Sequence, residues 1–258
     1  MGIKSTAIGL MPRRLFGALR VLKRPELYMP LTTVTYSQDG LVTQHSADFM
    51  QDERFARAYA LGEATNSWNG WQVHWRAHVA CWAAERARHL EGDFVECGVN
   101  RGGLSLTLME YVDFDRWEGR KFHLVDTYNG LIEEQITEEE RRNGVKSAGN
   151  YGECYEIVKQ TFSRFPNAVL VRGAVPEILP EVRAEKVCYL SIDMNCAEPE
   201  IAAAEYFWDK MVTGAAMILD DYGWLGQGVQ KRAFDDFARR KRVPLLCLPT
   251  GQGLILKP

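Results

Sequence analysis

The sequence lacks the cysteine spacings that mark zinc fingers and dithiol redox proteins. Its six cysteines include no Cys-x-x-Cys pair, so neither a zinc finger nor a dithiol redox motif is indicated. Cys97, Cys188 and Cys247 lie in apolar runs typical of strands. We therefore expect the cysteines to be reduced core thiols, as is usual inside cells.

Long apolar runs and a strong charge bias are also missing. No apolar stretch approaches the ~20 residues that span a bilayer, and Pro12-Arg13-Arg14 interrupts the one region that resembles a signal peptide. A formal net charge of −3 provides no general attraction to nucleic acid. These absences predict a cytoplasmic protein with no stable membrane association and no nucleic-acid partner.

The N-terminal region differs in charge from the rest of the chain. Residues 1–30 contain six basic side chains and one acid, and apolar residues recur at helical spacing at Leu15, Phe16, Leu19 and Leu22. We expect residues 1–65 to be a partly helical extension that packs on a second copy of the chain or, alternatively, rests on an anionic membrane surface. Subunit packing is favoured, so a homo-oligomer is predicted.

The remainder of the chain alternates between strand and helix patterns. With 258 residues, of which 46% are hydrophobic, the chain can bury a full core. The alternation predicts a doubly wound α/β domain over residues 66–258, with a mostly parallel sheet covered by helices. Only Thr250–Gly253 separates the last two apolar runs, which is too short for a crossover helix, so these runs predict a C-terminal antiparallel hairpin. The predicted elements are a helix at 71–90, strand 93–97, helix 103–112, strand 121–126, helix 152–164, strands 168–172 and 187–192, helix 198–211, strand 215–219, helix 228–241, and final strands at 244–249 and 254–257.

Four predicted strands end in acidic residues, at Glu96, Asp126, Asp193 and Asp220. After Glu96 the chain turns through Gly98, Gly102 and Gly103 into a helix, an arrangement that builds a nucleotide-shaped crevice. A dinucleotide-binding fingerprint has glycine where this chain has Glu96, and a carboxylate there repels pyrophosphate. It suits S-adenosylmethionine, which carries a sulfonium and an ammonium group. With Asp126 and the terminal hairpin, this pattern resembles class I S-adenosylmethionine-dependent methyltransferases.

Four motifs taken together indicate a more specific family. Residues 95–103 (VECGVNRGG), 125–131 (VDTYNGL), 189–193 (YLSID) and 219–223 (LDDYG) are similar, in this order, to the macrocin O-methyltransferase (TylF-type) family. The similarity covers roughly residues 65–258. It implies methylation of hydroxyl groups, typically on sugars of secondary metabolites, with S-adenosylmethionine and a divalent cation. It also implies that Asp193, Asp220 and Asp221 are the metal ligands.

Elementary chemistry supports an ion at these acids. Asp193 and Asp220 end neighbouring strands, so their carboxylates would converge and repel one another without a cation or a proton. Oxygen ligands suit Mg²⁺ better than Zn²⁺. The alternative is structural: a polar turn at 220–223, and a helix cap at Asp193.

The base for proton removal is less well defined by the sequence. Many family members have a second carboxylate two residues after the first metal-binding aspartate, but here that residue is Asn195, which cannot accept a proton. Asp193 and Asp221 are predicted to act in catalysis, with Asp221, Glu198 or His74 as candidate bases. His74 has an alternative role as an ordinary helix-face histidine.

Contacts to S-adenosylmethionine can be proposed position by position. Glu96 and Gly98 would flank the methionine moiety, Arg101 would meet its carboxylate, and Asp126 would bind the ribose hydroxyls. An equal alternative for Arg101 is a surface residue at a helix start. The full predicted cofactor-binding set is Glu96, Gly98, Arg101, Gly102, Asp126, Thr127, Tyr128, Gly173, Ala174 and Asp193.

Two further segments are candidates for the acceptor side. Trp68 and Trp71 lie in a loop-like stretch and are expected to line the acceptor pocket, whereas Trp75 and Trp82 are expected in the core. The polar segment 127–150 is predicted to be either a mobile lid or a plain solvated insertion.

The sequence thus predicts Mg²⁺-assisted methyl transfer from S-adenosylmethionine to a hydroxyl group of a small molecule, a sugar or glycosylated natural product. Two alternatives remain open. One is an NAD(P)-dependent oxidoreductase on a similar sheet. The other is a non-catalytic S-adenosylmethionine-binding module.

Overall fold

The computed structural model describes residues 33–147 and 151–258, so the helix predicted near residues 15–22 lies outside the described residues. The chain divides into two compact units, of which the larger comprises Gln38–Gly40 and Asp48–Pro258. In the smaller unit, Thr35 donates a backbone hydrogen bond to Thr43 (3.0 Å) within a two-stranded hairpin. The domain boundary predicted at residue 65 stays a prediction.

The described elements follow the predicted alternation of strands and helices. The strands are β1 (Tyr36–Gln38), β2 (Leu41–Thr43), β3 (Asp93–Cys97), β4 (Phe122–Asp126), β5 (Ala168–Arg172), β6 (Val187–Ile192), β7 (Met211–Leu219), β8 (Leu246–Cys247) and β9 (Gly253–Leu256). The helices are α1 (Glu53–Ala64), α2 (His74–Ala87), α3 (Gly103–Tyr111), α4 (Glu138–Arg142), α5 (Tyr155–Phe162), α6 (Ala197–Trp208) and α7 (Gly228–Lys241).

One seven-stranded sheet organises the larger unit, in the order β5-β4-β3-β6-β7-β9-β8. The five strands from β5 to β7 are parallel, whereas β9 pairs antiparallel with both β7 and β8. This confirms the predicted C-terminal hairpin. The chain winds outward from β3 to β5 and then returns to β6 on the other side of β3, which opens a crevice at the carboxyl ends of these strands.

The core lies on both faces of the sheet. Along β3, Phe94 packs in the cluster under α2, α3 and α5, and Val95 packs in the cluster under α6 and α7. Both side chains are fully buried, as expected for a parallel strand covered on both faces. No helix in the described part of the chain is both long enough and apolar enough to cross a membrane.

Some element boundaries differ from the predicted ones for local reasons. Strand β8 is only two residues long within the predicted run 244–249, because Pro244 and Pro249 flank it and have no N–H to donate to a ladder. Strand β7 begins four residues before the predicted position 215 and passes through Gly214 at φ 86°.

Two predicted core side chains are not in the core. Cys247 is exposed because β8 is the outermost strand of the sheet, whereas the other cysteines are buried. Trp82 is 45% exposed, and the Arg86 guanidinium lies 5.2 Å from its ring centroid. Both predictions were wrong because an apolar residue in a regular pattern can still lie on an outer face.

Candidate active site

The carboxyl edge of the sheet forms the floor of a cavity of about 410 Å³. Register brings the strand ends together, since Cys97 pairs with Val125 on one side and Ile192 on the other, and Ile192 pairs with Leu219. The residues after these strands therefore meet at one edge. Most of the predicted site residues line the cavity. They are Glu96, Gly98, Asp126, Thr127, Tyr128, Gly173, Asp193, Asp220 and Asp221.

Gly98 allows the turn after β3 to pass close to the neighbouring strand end. It adopts φ 92°, and a Cβ there would overlap the Asp193 carbonyl. The Asp193 N–H donates to the Cys97 carbonyl at 2.8 Å. Only glycine meets both demands, so this position couples the turn to the segment that contains Asp193.

Glu96 is a buried acid at the cavity wall. It is 3% exposed, and its carboxylate accepts a hydrogen bond from Ser105 on α3. Burial raises the pKa of Glu96 to about 8, although the Ser105 hydrogen bond lowers it. A buried carboxyl without a cationic partner favours its neutral form, and a bound cation would reverse that preference.

Asp126 holds the glycine turn in place. One carboxylate oxygen accepts the backbone N–H groups of Val99 (2.6 Å) and Asn100 (2.7 Å), and the other accepts that of Tyr128 (2.6 Å). Burial raises the pKa of Asp126, and these backbone hydrogen bonds lower it. The sequence predicted a contact with ribose; the structure adds a bracing role in which both oxygens already accept bonds.

Four carboxylates and one guanidinium also line the cavity. We call Asp39, Asp193, Asp220 and Asp221 the carboxylate cluster. Arg76, on the first turn of α2, is 8% exposed and donates from Nε to Asp39 (2.7 Å) and from Nη1 to the Asp220 carboxylate. The same Nη1 lies 3.4 Å from Asp221 Oδ1.

The pKa values of the carboxylate cluster reflect burial and crowding of like charges. Burial raises the pKa of Asp193 well above its usual range, and Asp220 and Asp221 raise it further. Burial and Asp220 raise the pKa of Asp221 to about 6, against the lowering effect of Arg76. One guanidinium therefore leaves the cluster with excess negative charge.

Aromatic side chains surround the mouth of the cavity. Trp68, Trp71, Tyr151 and Trp224 line it, as was expected for the first two. Trp71 is 56% exposed and meets Trp224 edge-on at a centroid distance of 6.4 Å. Such rings form apolar walls against which a sugar or a planar group can pack.

The model of the family described as macrocin O-methyltransferase (TylF) matches residues 73–245, about two thirds of the chain. The chain belongs to this family. It is therefore an O-methyltransferase, and the match covers β3–β7 with their connecting helices, including all the strand ends that build the cavity.

Solved structures share the fold at low sequence identity. The O-methyltransferase NovP matches with a TM-score of 0.61 and 19% identity, over 70% of this chain and 79% of that one. The calicheamicin methyltransferase CalS11 matches with a TM-score of 0.58 and 16% identity, over 89% and 97%. The Podospora anserina methyltransferase PaMTH1, bound to S-adenosylhomocysteine, matches with a TM-score of 0.53 and 11% identity, over 96% and 98%. A comparison with curated proteins found no match.

Several residues predicted to act in this O-methyltransferase do not line the cavity. The His74 ring stacks on Tyr59 at a centroid distance of 4.0 Å, and burial lowers its pKa. The Arg101 Nε donates to the Thr65 carbonyl (2.8 Å). Gly102 adopts φ 85° against Phe162, so it shapes the helix start. Ala174 and Glu198 also lie outside the lining residues.

Two of the three predicted metal ligands, Asp220 and Asp221, are engaged with Arg76. Within residues 33–147 and 151–258, no three His, Cys, Asp or Glu side chains are arranged to hold a metal ion as they stand. The donor chemistry nevertheless fits a hard divalent cation, because the cluster offers only carboxylate oxygens and has more negative charge than Arg76 balances. Asn195 donates to Asp193 Oδ1 at 3.0 Å and so orients that carboxylate.

Three residues that line the cavity were not indicated by any sequence pattern: Asp39, Arg76 and Tyr151. Arg76 is embedded in the tryptophan-rich helix pattern of residues 71–90, where an arginine is typical of a solvated face. Asp39 precedes the recognised motifs by more than fifty residues. A buried arginine has no local signature, because its burial depends on carboxylates that are distant in sequence.

Proposed function

We propose that the protein transfers a methyl group from S-adenosylmethionine to a hydroxyl group of a small molecule, a sugar or a glycosylated natural product. The supporting observation is one cavity that is lined both by Glu96, Gly98 and Asp126 and by the carboxylate cluster. A methyl donor and a hydroxylated acceptor can therefore be held next to each other, which an in-line displacement requires.

On the donor side, the glycine turn and Glu96 provide the binding surface. S-adenosylmethionine supplies an electrophilic methyl group on a sulfonium. Glu96 would face the cationic methionine moiety, and its burial in an apolar wall strengthens that attraction. Asp126 keeps the turn in shape through its bonds to Val99, Asn100 and Tyr128. Gly173 would border the adenine.

On the acceptor side, the carboxylate cluster would orient the acceptor hydroxyl group and take up its proton. Asp193, Asp220 and Asp221 would hold a divalent cation such as Mg²⁺, which supplies Lewis-acid stabilisation of the acceptor oxygen. Among the candidate bases, Asp221 lines the cavity whereas His74 and Glu198 do not, so we propose Asp221 as the proton acceptor. The tryptophan walls would pack against the acceptor ring.

One fold neighbour, CalS11, favours the sugar class of acceptor. CalS11 is described as a TDP-rhamnose 3'-O-methyltransferase of calicheamicin biosynthesis, and NovP as an O-methyltransferase. We extend the sugar acceptor to this chain because aromatic side chains and carboxylates line its cavity mouth. The nicotinamide-dependent alternative does not agree with the family of the chain.

The test is a methyl-transfer assay with S-adenosylmethionine against glycosides and nucleotide sugars, with product detection by mass spectrometry. S-adenosylhomocysteine binding is measured by calorimetry in the same preparation. The expected result is transfer that Asp220→Asn reduces by about a hundredfold or more, with S-adenosylhomocysteine affinity preserved. Tight cofactor binding without product from any hydroxylated acceptor would instead favour the non-catalytic binding module.

A further inference from the structure

Arg76 contacts two of the carboxylates that are predicted to bind a divalent cation. Its Nη1 donates to the Asp220 carboxylate, lies 3.3 Å from the Asp220 carbonyl oxygen and lies 3.4 Å from Asp221 Oδ1. A guanidinium and a metal ion cannot both bind these oxygens, because two cations at van der Waals distance repel strongly in a buried site.

Arg76 also has a second set of partners away from the strand ends. Its Nε donates to Asp39 Oδ2 at 2.7 Å, and its guanidinium carbon lies 5.2 Å from the centroid of the Trp224 ring. The side chain can therefore leave Asp220 and Asp221 by rotating its outer nitrogens while Asp39 retains the charge. Without Asp39, the freed guanidinium would remain buried with no paired carboxylate, which is a costly state.

The carboxylates are held in place independently of Arg76. Gln252, which is fully buried, donates from Nε2 to Asp220 Oδ1 at 3.2 Å, and Thr250 donates to the Gln252 amide oxygen at 3.0 Å. Asn195 donates to Asp193 Oδ1 at 3.0 Å. Departure of the guanidinium would therefore leave Asp193 and Asp220 in position.

We propose that Arg76 is a resident counter-cation which a divalent ion displaces from Asp220 and Asp221, and that Asp39 is the residue which receives the displaced guanidinium. The inference rests on the proposed function, since it concerns the same carboxylates. It gives Asp39, in the turn between β1 and β2, a part in metal affinity although it is not itself a ligand.

The test measures metal affinity directly, on the full chain with saturating S-adenosylhomocysteine and no acceptor. Mn²⁺ is titrated and its free fraction is read by electron paramagnetic resonance, with Mg²⁺ added as competitor. Arg76→Met should bind Mn²⁺ about tenfold more tightly than the original chain, because the competing charge is gone. Asp39→Asn should bind it several-fold more weakly, because Arg76 then has only Asp220 and Asp221 as charged partners.

The double variant Arg76→Met/Asp39→Asn makes the test specific. If Asp39 acts through Arg76, its effect disappears in the Arg76→Met background, and the double variant matches Arg76→Met. Arg54→Met is the matched control, since Arg54 pairs with Glu85 at 2.7 Å and does not line the cavity. It should leave Mn²⁺ affinity unchanged.

Three outcomes would overturn the inference: unchanged or weaker Mn²⁺ binding in Arg76→Met, persistence of the Asp39→Asn effect without Arg76, and no Mn²⁺ binding by any of the chains. Circular dichroism and S-adenosylhomocysteine affinity verify that each variant is folded, and Asp39→Asn provides an independent readout if Arg76→Met does not fold. Methyl transfer by the original chain is measured separately. If the original chain transfers methyl groups but the Arg76 and Asp39 substitutions leave Mn²⁺ affinity unchanged, this inference is rejected and the proposed function stands.

Discussion

At the scale of single residues, acids at the ends of strands have different structural roles. Asp126 and Asp93 lie at opposite ends of adjacent strands and both accept backbone N–H groups. Asp93 Oδ1 accepts from Lys121 at 2.9 Å, and its Oδ2 lies 3.1 Å from His123 Nε2. Only Asp126 braces the cavity, so a substitution of Asp93 serves as the control for the same substitution of Asp126.

We expect Asp126→Asn to lower the free energy of unfolding by about 1–3 kcal/mol, because one amide NH₂ would then face backbone donors. It should also weaken S-adenosylhomocysteine binding by about tenfold, as the glycine turn loosens. Denaturant unfolding and calorimetry measure the two effects. Asp93→Asn should affect stability alone, and equal binding losses in both variants would contradict the bracing role.

Glu96 should make stability fall with rising pH. In the folded chain its pKa is about 8, against an ordinary value of 4.5. Below the ordinary value both states are protonated. Between the two values the unfolded chain releases the proton and the folded chain keeps it, so the folded state loses relative stability as pH rises.

Glu96→Gln should remove this contribution. The stability of the variant relative to the original chain should therefore increase from pH ~5 to ~8, by at most about 5 kcal/mol at ~1.4 kcal/mol per pKa unit. Urea unfolding without cofactor at several pH values measures it. A difference that stays constant over the range would show that Glu96 is ionised in the folded state.

At the scale of elements, strands were predictable where an apolar run is bounded by turn residues. The predicted strands at 93–97, 168–172 and 187–192 have the bounds of β3, β5 and β6, because a short apolar run between turn residues has few alternatives. The short edge strand β8 and the early start of β7 depend on pairing partners, which a local pattern does not reveal.

The polar segment predicted as a lid or solvated insertion is anchored by Glu140 to the segment that follows Asp193. In α4, the buried Glu140 accepts the Ala197 N–H through Oε1 (2.8 Å) and the Thr137 N–H through Oε2 (2.8 Å). Ala197 begins α6, just after Asp193–Asn195. Glu139, which precedes Glu140, forms an exposed ion pair with Arg232 (2.7 Å). Residues 148–150 of the predicted segment lie outside the described residues.

Glu140→Ala should increase amide hydrogen exchange both in residues 131–147 and in residues 193–200, because a single side chain joins these segments. We expect a stability loss of about 1–3 kcal/mol from the buried donors left without an acceptor. Glu139→Ala is the control and should cost less than about 1 kcal/mol, as exposed ion pairs usually do. Faster exchange in residues 131–147 alone would mean that Glu140 does not couple the two segments.

At the scale of the whole molecule, the active-site edge was predictable and its charge balance was not. Parallel strands joined by crossovers place their carboxyl ends at one edge, so acids at the ends of β3, β4, β6 and β7 had to converge. The guanidinium that meets them comes from 144 residues before Asp220. Such a pairing follows from how α2 lies against the sheet, which the sequence pattern of α2 does not specify.

A comparison of two shortened chains would test how much of the molecule the cavity requires. Every residue named here as lining the cavity lies within 33–258, so a chain of residues 33–258 should retain S-adenosylhomocysteine affinity within about threefold. A chain of residues 48–258 keeps the entire seven-stranded sheet and lacks Asp39, which leaves Arg76 with Asp220 and Asp221 as its charged partners. We expect it to fold, to bind S-adenosylhomocysteine comparably, and to bind Mn²⁺ more weakly than the 33–258 chain. Thermal unfolding, calorimetry and Mn²⁺ titration measure the three properties. Loss of S-adenosylhomocysteine binding in the 33–258 chain would show that the cofactor side of the cavity depends on residues 1–32.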